Sequence, residues 1–265
     1  MLKVATHCHS TYSDGEFTLP ELREMFLKSG FNMVFMTDHA EWFDDASIKA
    51  YVEECEKLSD NDFAFVAGLE FECERKMHIL GYGVTELATT TNPQEVIKHI
   101  DKNDGLSVIA HPGDSMFDWI ESFDVLPFGI EVWNSKYDGP IAPRPRTFRL
   151  LNRLQARNSD MKAFYGTDLH WKNQYRGLVN QLSCSPNPAD ALTALRGGKY
   201  TAVHNDGLTL PSNGVLDNEL MMKFDELNSK YQRKQQLFKR MKKVAGSVGR
   251  NLPKPVKSRL RKLFS

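Results

Sequence analysis

The chain has 265 residues, 41% hydrophobic and 26% charged, the proportions of a globular protein and not of a disordered, collagenous or disulfide-framework one. Its four cysteines (Cys8, Cys55, Cys73, Cys184) form no CxxC pair, which argues against a disulfide scaffold and for a reducing, cytoplasmic setting; the histidine motif at residue 7 leaves no room for a signal peptide before it, and no run of about 18 apolar residues is present to span a membrane. The net charge of zero hides an acidic body and a basic end: residues 230–265 hold 13 Lys/Arg and no Asp/Glu, leaving 21 of the 34 basic residues against all 34 acidic ones in the rest.

Short apolar strands alternate with amphipathic helices over the first two hundred residues. Residues 3–6 form a strand leading into His7-Cys8-His9. Thr18-Leu19-Pro20-Glu21 is a capping-box pattern with proline early in the helix, and Gly30 ends that helix. A strand over 32–37 delivers Asp38-His39, and a helix follows over 47–58. The apolar run 63–67 leads through Gly68 to Glu70, and 77–83 forms a strand carrying His78. Asn92-Pro93 caps a helix to about residue 103; the buried strand 106–110 ends at His111. A strand over 129–133, a helix over 146–157 and a strand over 161–165 lead to Asp168 and His170. A helix over 190–196 and a strand over 200–203 close the series. Such alternation implies βα units around a parallel sheet or barrel.

Nine potential metal ligands fall at or just after these strand ends: His7, His9, Asp14, His39, Glu70, His78, His111, Asp168 and His170. Each has a plain alternative when taken alone. Asp14 in Ser13-Asp14-Gly15 reads as a turn residue, His78 as a packed core histidine, and Asp38-His39 as a capping stretch. His7 and His9 are two apart, so on a strand they share one side while Cys8 points away. Asp38 is then an orienter or a loop acceptor. Taken together, the nine sit where α/β barrels keep their chemistry. They are too many for one ion, and all are imidazole or carboxylate, a mix that suits Zn, Mn or Fe(II) singly or clustered. His99 and His204 stay outside the set, and Trp133 is placed either to stack on a ring or to pack.

The motifs His7-x-His9, Asp14, Thr37-Asp38-His39, Gly68-x-Glu70, His78, Ala110-His111-Pro112-Gly113 and Asp168-x-His170 resemble those of the polymerase and histidinol phosphatase (PHP) superfamily, across about residues 3–206. The resemblance implies a distorted (β/α)7 barrel and phosphoester hydrolysis with two to three divalent ions (Mn, Fe or Zn). Carried over by position, it implies one ion at His7, His9, Glu70 and Asp168. It implies a second sharing Glu70 with His78 and His111, and a third at Asp14, His39 and His170. Asp14 stands where some relatives carry histidine, which bears on metal preference. The reaction it implies is attack by a hydroxide bridging two ions, with Glu70, Asp168 and His170 as catalytic residues. Lys172, Arg176, Arg144 and Arg146 are candidate phosphate binders, with solvated loop cations as the alternative. No large insertion separates Glu70 from His78, which favours a phosphatase acting on a small phosphomonoester. The alternatives are an exonuclease or nucleotide phosphoesterase with the same site, and a non-catalytic metal-binding recruitment module.

A division into a catalytic unit over 1–210 and a basic helical tail over 211–265 is expected. Apolar residues at 237, 241, 244 and 248 have helical spacing, and Leu252, Val256, Leu260 and Leu263 form a second stripe. A basic amphipathic tail suits peripheral attachment to an anionic membrane surface on its inner face. Docking onto the acidic body or a partner protein is the next reading. Nucleic acid is less favoured, because few aromatics interleave the cations.

Overall fold

The structure is a computed structural model that describes residues 1–174 and 177–249. Strand β1 (Leu2–Cys8) lies parallel to β2 (Met33–Met36), which passes through Thr37 into the two-residue β3 (Asp38–His39). Likewise β4 (Ala64–Val66) pairs in parallel with β2, and its continuation β5 (Gly68–Cys73) with β3. Helices α1 (Leu19–Lys28) and α2 (Asp45–Lys57) form the two crossovers. Strand alternation then separates two cores. Met33 and Phe35 join the main one, while Val34 and Met36 pack with Leu22, Phe26, Tyr51 and Cys55 of the helices.

Strand β6 (Met77–Tyr82) departs from uniform βα alternation. The chain reverses at 74–76, where Arg75 and Lys76 take left-handed backbone (φ 57° and 59°), and β6 runs antiparallel to β5 and to β7 (Leu106–Ala110). The mixed α/β architecture holds, but β6 is antiparallel where βα units alone would give parallel strands: a three-residue turn has no room for a crossover helix, so the next strand must run back. Beyond α3 (Pro93–Lys102) and β7 the parallel order resumes through α4 (Phe117–Glu121), β8 (Gly129–Asn134), α5 (Pro145–Gln155) and β9 (Lys162–Gly166). Every residue of β7 and β8 is buried, as strands covered on both faces require. Backbone bonds from Thr167 N to Thr6 O (3.0 Å), Leu169 N to His7 O (3.1 Å) and His9 N to Leu169 O (2.9 Å) bring the chain after β9 back onto β1. Kinks at Thr37 and Ala67 divide the hydrogen bonding into two sheets, with β1, β2 and β4 in one and β3 and β5 to β9 in the other.

Strand β10 (Leu178–Leu182), not anticipated from the sequence, pairs antiparallel with the outer edge of β1. After α6 (Pro188–Arg196), β11 (Tyr200–His204) and β12 (Thr209–Pro211) extend that sheet. Helix α7 (Asn218–Gly249) begins well before the apolar stripe read from Leu237. Its first turns dock on the body: Phe224 is buried, Leu220, Met221 and Leu227 pack against the main core, and Asp225 pairs with Arg149 at 2.6 Å. Lys230, Arg233 and Lys234 are exposed. The stripe from Leu252 to Leu263 lies outside the described residues, and no described helix is long and apolar enough to cross a membrane.

The end of α1 shows how local chemistry fixes an element. Thr18 and Glu21 cap its start reciprocally. At its end Gly30 N bonds to Leu27 O (2.9 Å), Phe31 N bonds to Phe26 O (3.0 Å), and the Phe26 and Phe31 rings meet at 5.1 Å. This is a Schellman closure with its hydrophobic contact. Gly30 has φ 75°, and a Cβ there would meet only Lys3 Nζ at 3.9 Å. Gly30→Ala is therefore predicted to destabilise by about 1 kcal/mol through backbone strain alone. Denaturant unfolding checks this, and an unchanged midpoint would contradict the closure.

Candidate metal centre

Three of the nine candidate ligands occupy backbone that L-residues rarely adopt: His7 (φ 61°), His111 (φ 31°) and Asp168 (φ 51°). His7 lies at an irregularity in the β1–β2 register between Thr6 and Cys8. The expected placement of the two histidines holds, with ring centroids 5.3 Å apart and Cys8 turned into the helix-covered core. It arises, however, from a kinked strand end and not from regular alternation. Left-handed residues of this kind cost on the order of 1–3 kcal/mol each and cluster at functional sites.

The structure brings all nine together. Glu70 Oε2 lies 3.1 Å from His9 Nε2, 3.3 Å from His7 Nε2 and 3.7 Å from His39 Nδ1. Its Oε1 lies 2.8 Å from His78 Nδ1 and 3.3 Å from His111 Nε2. Asp168 Oδ1 is 3.1 Å from His170 Nδ1 and 3.8 Å from His7 Nε2, and its Oδ2 is 3.7 Å from His111 Nε2. Asp14 Oδ1 lies 3.1 Å from His170 Nε2, 3.6 Å from His39 Nε2 and 3.8 Å from His9 Nδ1. Four overlapping groups have donor atoms within 4.8 Å of one another: His9/Asp14/His39/His170, His7/His9/Asp168, His7/Glu70/His111 and His39/Glu70/His78. Glu70, inside β5, and His78 depart from the strand-end pattern. His78 sits near the start of β6 and reaches Glu70 because that strand runs backwards.

Four further residues complete the site, and the sequence reading does not single them out. Glu131, inside buried β8, accepts from His7 Nδ1 (2.8 Å), His111 N (3.0 Å) and Asn134 Nδ2 (3.0 Å). A carboxylate within an all-buried strand must be paired, so the signal was present. Gly166 makes room for it: a Cβ there would lie 1.7 Å from Glu131 Oε1. Asn134 also donates to Asp168 Oδ2 (3.2 Å), and Lys136 Nζ lies 3.0 Å from Asp168 Oδ1. The half-exposed Tyr137 ring packs 4.5 Å from that of His111. Asp38 is a loop acceptor, taking bonds from Ser10 N (2.8 Å), Ser10 Oγ (2.9 Å) and Ser13 Oγ (2.7 Å).

The electrostatics fit a cation. Burial raises the Glu70 and Asp168 carboxyls, but His7 and its neighbours more than offset this and hold both well below the usual carboxylate range. Burial likewise opposes charge on His7, yet Glu131, Asp168 and Glu70 outweigh it and raise its pKa well above the ordinary imidazole value. Burial pushes His9 down to about 3, so its ring is neutral at pH 7 and its lone pair is free. Both His9 nitrogens and His39 Nδ1 are buried without a hydrogen bond. Such orphaned atoms are costly in the chain alone, and a bound cation would satisfy them. The donors are all imidazole nitrogen and carboxylate oxygen, a set compatible with divalent metal ions.

The candidate phosphate binders lie elsewhere or outside the description. Arg144 pairs with buried Asp138, whose carboxyl burial pushes up to about 6, and donates to Pro112 O (3.3 Å). Arg146 pairs with Asp114 at 2.5 Å. Lys172 lines a shallow cavity beside α1 with Phe17, Glu21 and Lys28. Arg176 lies outside the described residues. Trp133 packs, fully buried, with Nε1 donating to Gly139 O (3.0 Å).

Comparison with known proteins agrees with this geometry. The PHP domain family matches residues 5–142, just over half of the chain, and the chain belongs to that family. No curated protein matches it. Among solved structures, one similar chain is a two-domain protein from Bacteroides vulgatus described as containing a predicted PHP-like metal-dependent phosphoesterase. It is 17% identical with TM-score 0.55, and the match covers 85% of this chain and 69% of that one. Another, from Bifidobacterium adolescentis, is provisionally described as a metal-dependent phosphoesterase (18% identity, TM-score 0.47, 66% and 90% covered). An amidohydrolase from Chromobacterium violaceum is 14% identical with TM-score 0.49 (68% and 92% covered). At 17% identity the likeness to the Bacteroides protein speaks to the fold.

Two outcomes follow from the geometry. Glu131→Gln places an amide N–H against groups that themselves donate, and is predicted to weaken Mn binding about 10- to 100-fold; competition with a chelator measures this, and wild-type affinity would exclude the orienting role. Coordination at His7 must expel the proton its carboxylate neighbours keep there. Metal uptake at pH 7 should therefore release protons, and affinity should rise with pH. Binding heats that do not vary between buffers of different ionisation enthalpy would contradict this.

Proposed function

We propose that the protein is a metal-dependent phosphoesterase, acting as a phosphatase on a small phosphomonoester. The observation that carries this reading is the convergence of nine imidazole and carboxylate side chains on one site, where both buried His9 nitrogens lie beside carboxylates without a hydrogen bond. Divalent ions bound there would lower the pKa of water and neutralise charge developing on phosphoryl oxygens. Glu70 and Asp168 would hold ions from the floor of the site, with His7, His9, His78 and His111 around them. Asp14, His39 and His170 would close the outer side. Glu131 fixes the His7 ring through Nδ1, and Asn134 steadies Asp168. His170 Nδ1, 3.1 Å from Asp168 Oδ1, is close enough to exchange a proton with it. The fold likeness to the Bacteroides protein, described as a PHP-like phosphoesterase, supports the same chemistry. The short turn at 74–76 adds no wall beside the site, which suits a small substrate.

A second reading, a nucleotide phosphoesterase or exonuclease, is favoured by one feature. The half-exposed Tyr137 and Trp171 rings lie 4.5 Å and 5.5 Å from the rings of His111 and His170, where they are available to stack on a base.

Phosphate release by Mn-loaded protein across sugar phosphates, histidinol phosphate, mononucleotides, nucleoside bisphosphates and short oligonucleotides tests both. Turnover of a small monoester is expected, with kcat at least about a hundredfold lower in Glu70→Ala and His7→Ala, and lost on chelation without unfolding. Turnover of nucleotides alone would select the second reading. Silence across the panel with metal bound would point to a recruitment module.

A further inference from the structure

We propose that Lys136 is the anchor for the substrate's phosphoryl group; this rests on the phosphoesterase reading of the same site. Its backbone is fixed just past the end of β8. Asn134 Oδ1 accepts from Lys136 N (3.1 Å) and Tyr137 N (3.2 Å), and Ser135 N bonds to Gly166 O (3.0 Å). Asn134 and Asp138 exchange two further bonds, at 2.8 Å and 2.9 Å. The side chain is 21% exposed, so its ammonium reaches the centre from the open side. There Nζ lies 3.0 Å from Asp168 Oδ1 and 3.3 Å and 3.4 Å from the two ring nitrogens of His170. Among the described residues it is the one Lys or Arg whose charged end contacts any of the nine ligand-type side chains. Arg144 and Arg146 are committed to Asp138 and Asp114.

Charge decides what that ammonium is for. Divalent ions held by Asp168 and His170 would face a positive charge beside the same donor atoms, and like charges at such separations repel strongly where water is scarce. An anion bound between them would relieve that repulsion beyond what Asp168 already offsets. A phosphoryl group has enough non-bridging oxygens to face the ions and still leave one for Nζ. Lysine serves this as a point charge on a flexible stem, without the fixed fork of arginine. The opposing possibility is that the ammonium permanently replaces one ion, and it makes a different prediction.

The test uses the full chain loaded with Mn, as wild type, Lys136→Met and Lys136→Arg. Metal per chain is counted by emission spectrometry, inorganic phosphate binding is measured by calorimetry, and KM and kcat are measured on whichever monoester the wild type turns over. Unchanged metal content, phosphate affinity lower by roughly 10- to 100-fold in Lys136→Met (the worth of one charge-assisted hydrogen bond), a matching rise in KM and recovery in Lys136→Arg are expected. Equal phosphate affinity in wild type and Lys136→Met, or no phosphate binding by wild type, would overturn the proposal. So would an extra metal ion in Lys136→Met, which would make the lysine a substitute ion. Phosphate binding that depends on Lys136 in a protein that hydrolyses no phosphoester would keep the anchor and remove the phosphoesterase reading.

Discussion

Glu70 and Asp168 are carboxylates with about 1% of their surface exposed, and the need to balance their charge governs the whole carboxyl end of the barrel. A buried carboxylate without partners is strongly unfavourable. In the chain alone the balance comes from imidazoles: five of them approach Glu70 within 3.7 Å, and His7 keeps a proton that burial would otherwise remove. The same arrangement is compatible with divalent ions, which would take over the charge balance that protons supply in the chain alone. Glu131 is also a buried carboxylate, but its partners are all hydrogen-bond donors. It shapes the site and is satisfied without an ion.

The backbone accepts distortion where these groups converge. His7, Asp168 and His111 hold left-handed conformations, and each is pinned by a bond that ordinary strand geometry would not offer. Leu169 N reaches His7 O and His9 N reaches Leu169 O, while Glu131 takes the amide of His111. The chain after β9 meets β1 through such irregular bonds, Thr167 N to Thr6 O among them, and through the isolated Cys8–Leu169 bridge, not through a regular ladder. The break in regular pairing and the metal centre are therefore one feature: the strand ends that would have closed the sheet are bent inward to aim side chains.

Much of this was legible in the sequence, for physical reasons that can be named. Apolar runs between turn residues locate β2, β4, β7 and β9, because fully buried strands admit little else. Thr18, Asn92 and Gly30 mark helix ends through capping chemistry that acts over a few residues. Ligand-type residues stood out because imidazoles and acids are rare beside such strands. Long-range facts were not legible. The reversed direction of β6 depends on two left-handed residues, Arg75 and Lys76, that carry no glycine signal. Strand β10 (Leu-Val-Asn-Gln-Leu) is marginal by itself and gains its identity from pairing with β1. Lys136 reads like any loop lysine until Asp168, thirty-two residues later, is folded against it.

The loop that carries Lys136 and Tyr137 is held from two directions, and this links the far end of the chain to the site. On its inner side the Asp138–Arg144 pair, buried at the aspartate, closes residues 138–144 into a compact turn against Pro112 O, beside His111. On its outer side α7 lies along it. Asn228 Nδ2 donates to Pro143 O (3.3 Å), and the Tyr231 ring approaches Gly139 so closely that a Cβ there would fall 2.6 Å from it. Gly139 also needs its φ of 92°, so two independent demands require glycine at that position. The helix seats through Phe224 and the Arg149–Asp225 pair before it reaches the loop, and the run of cationic residues without acids begins at Lys230, directly after that contact. The start of the basic segment, at Tyr231, is thus already packed against the loop that carries Lys136 and Tyr137.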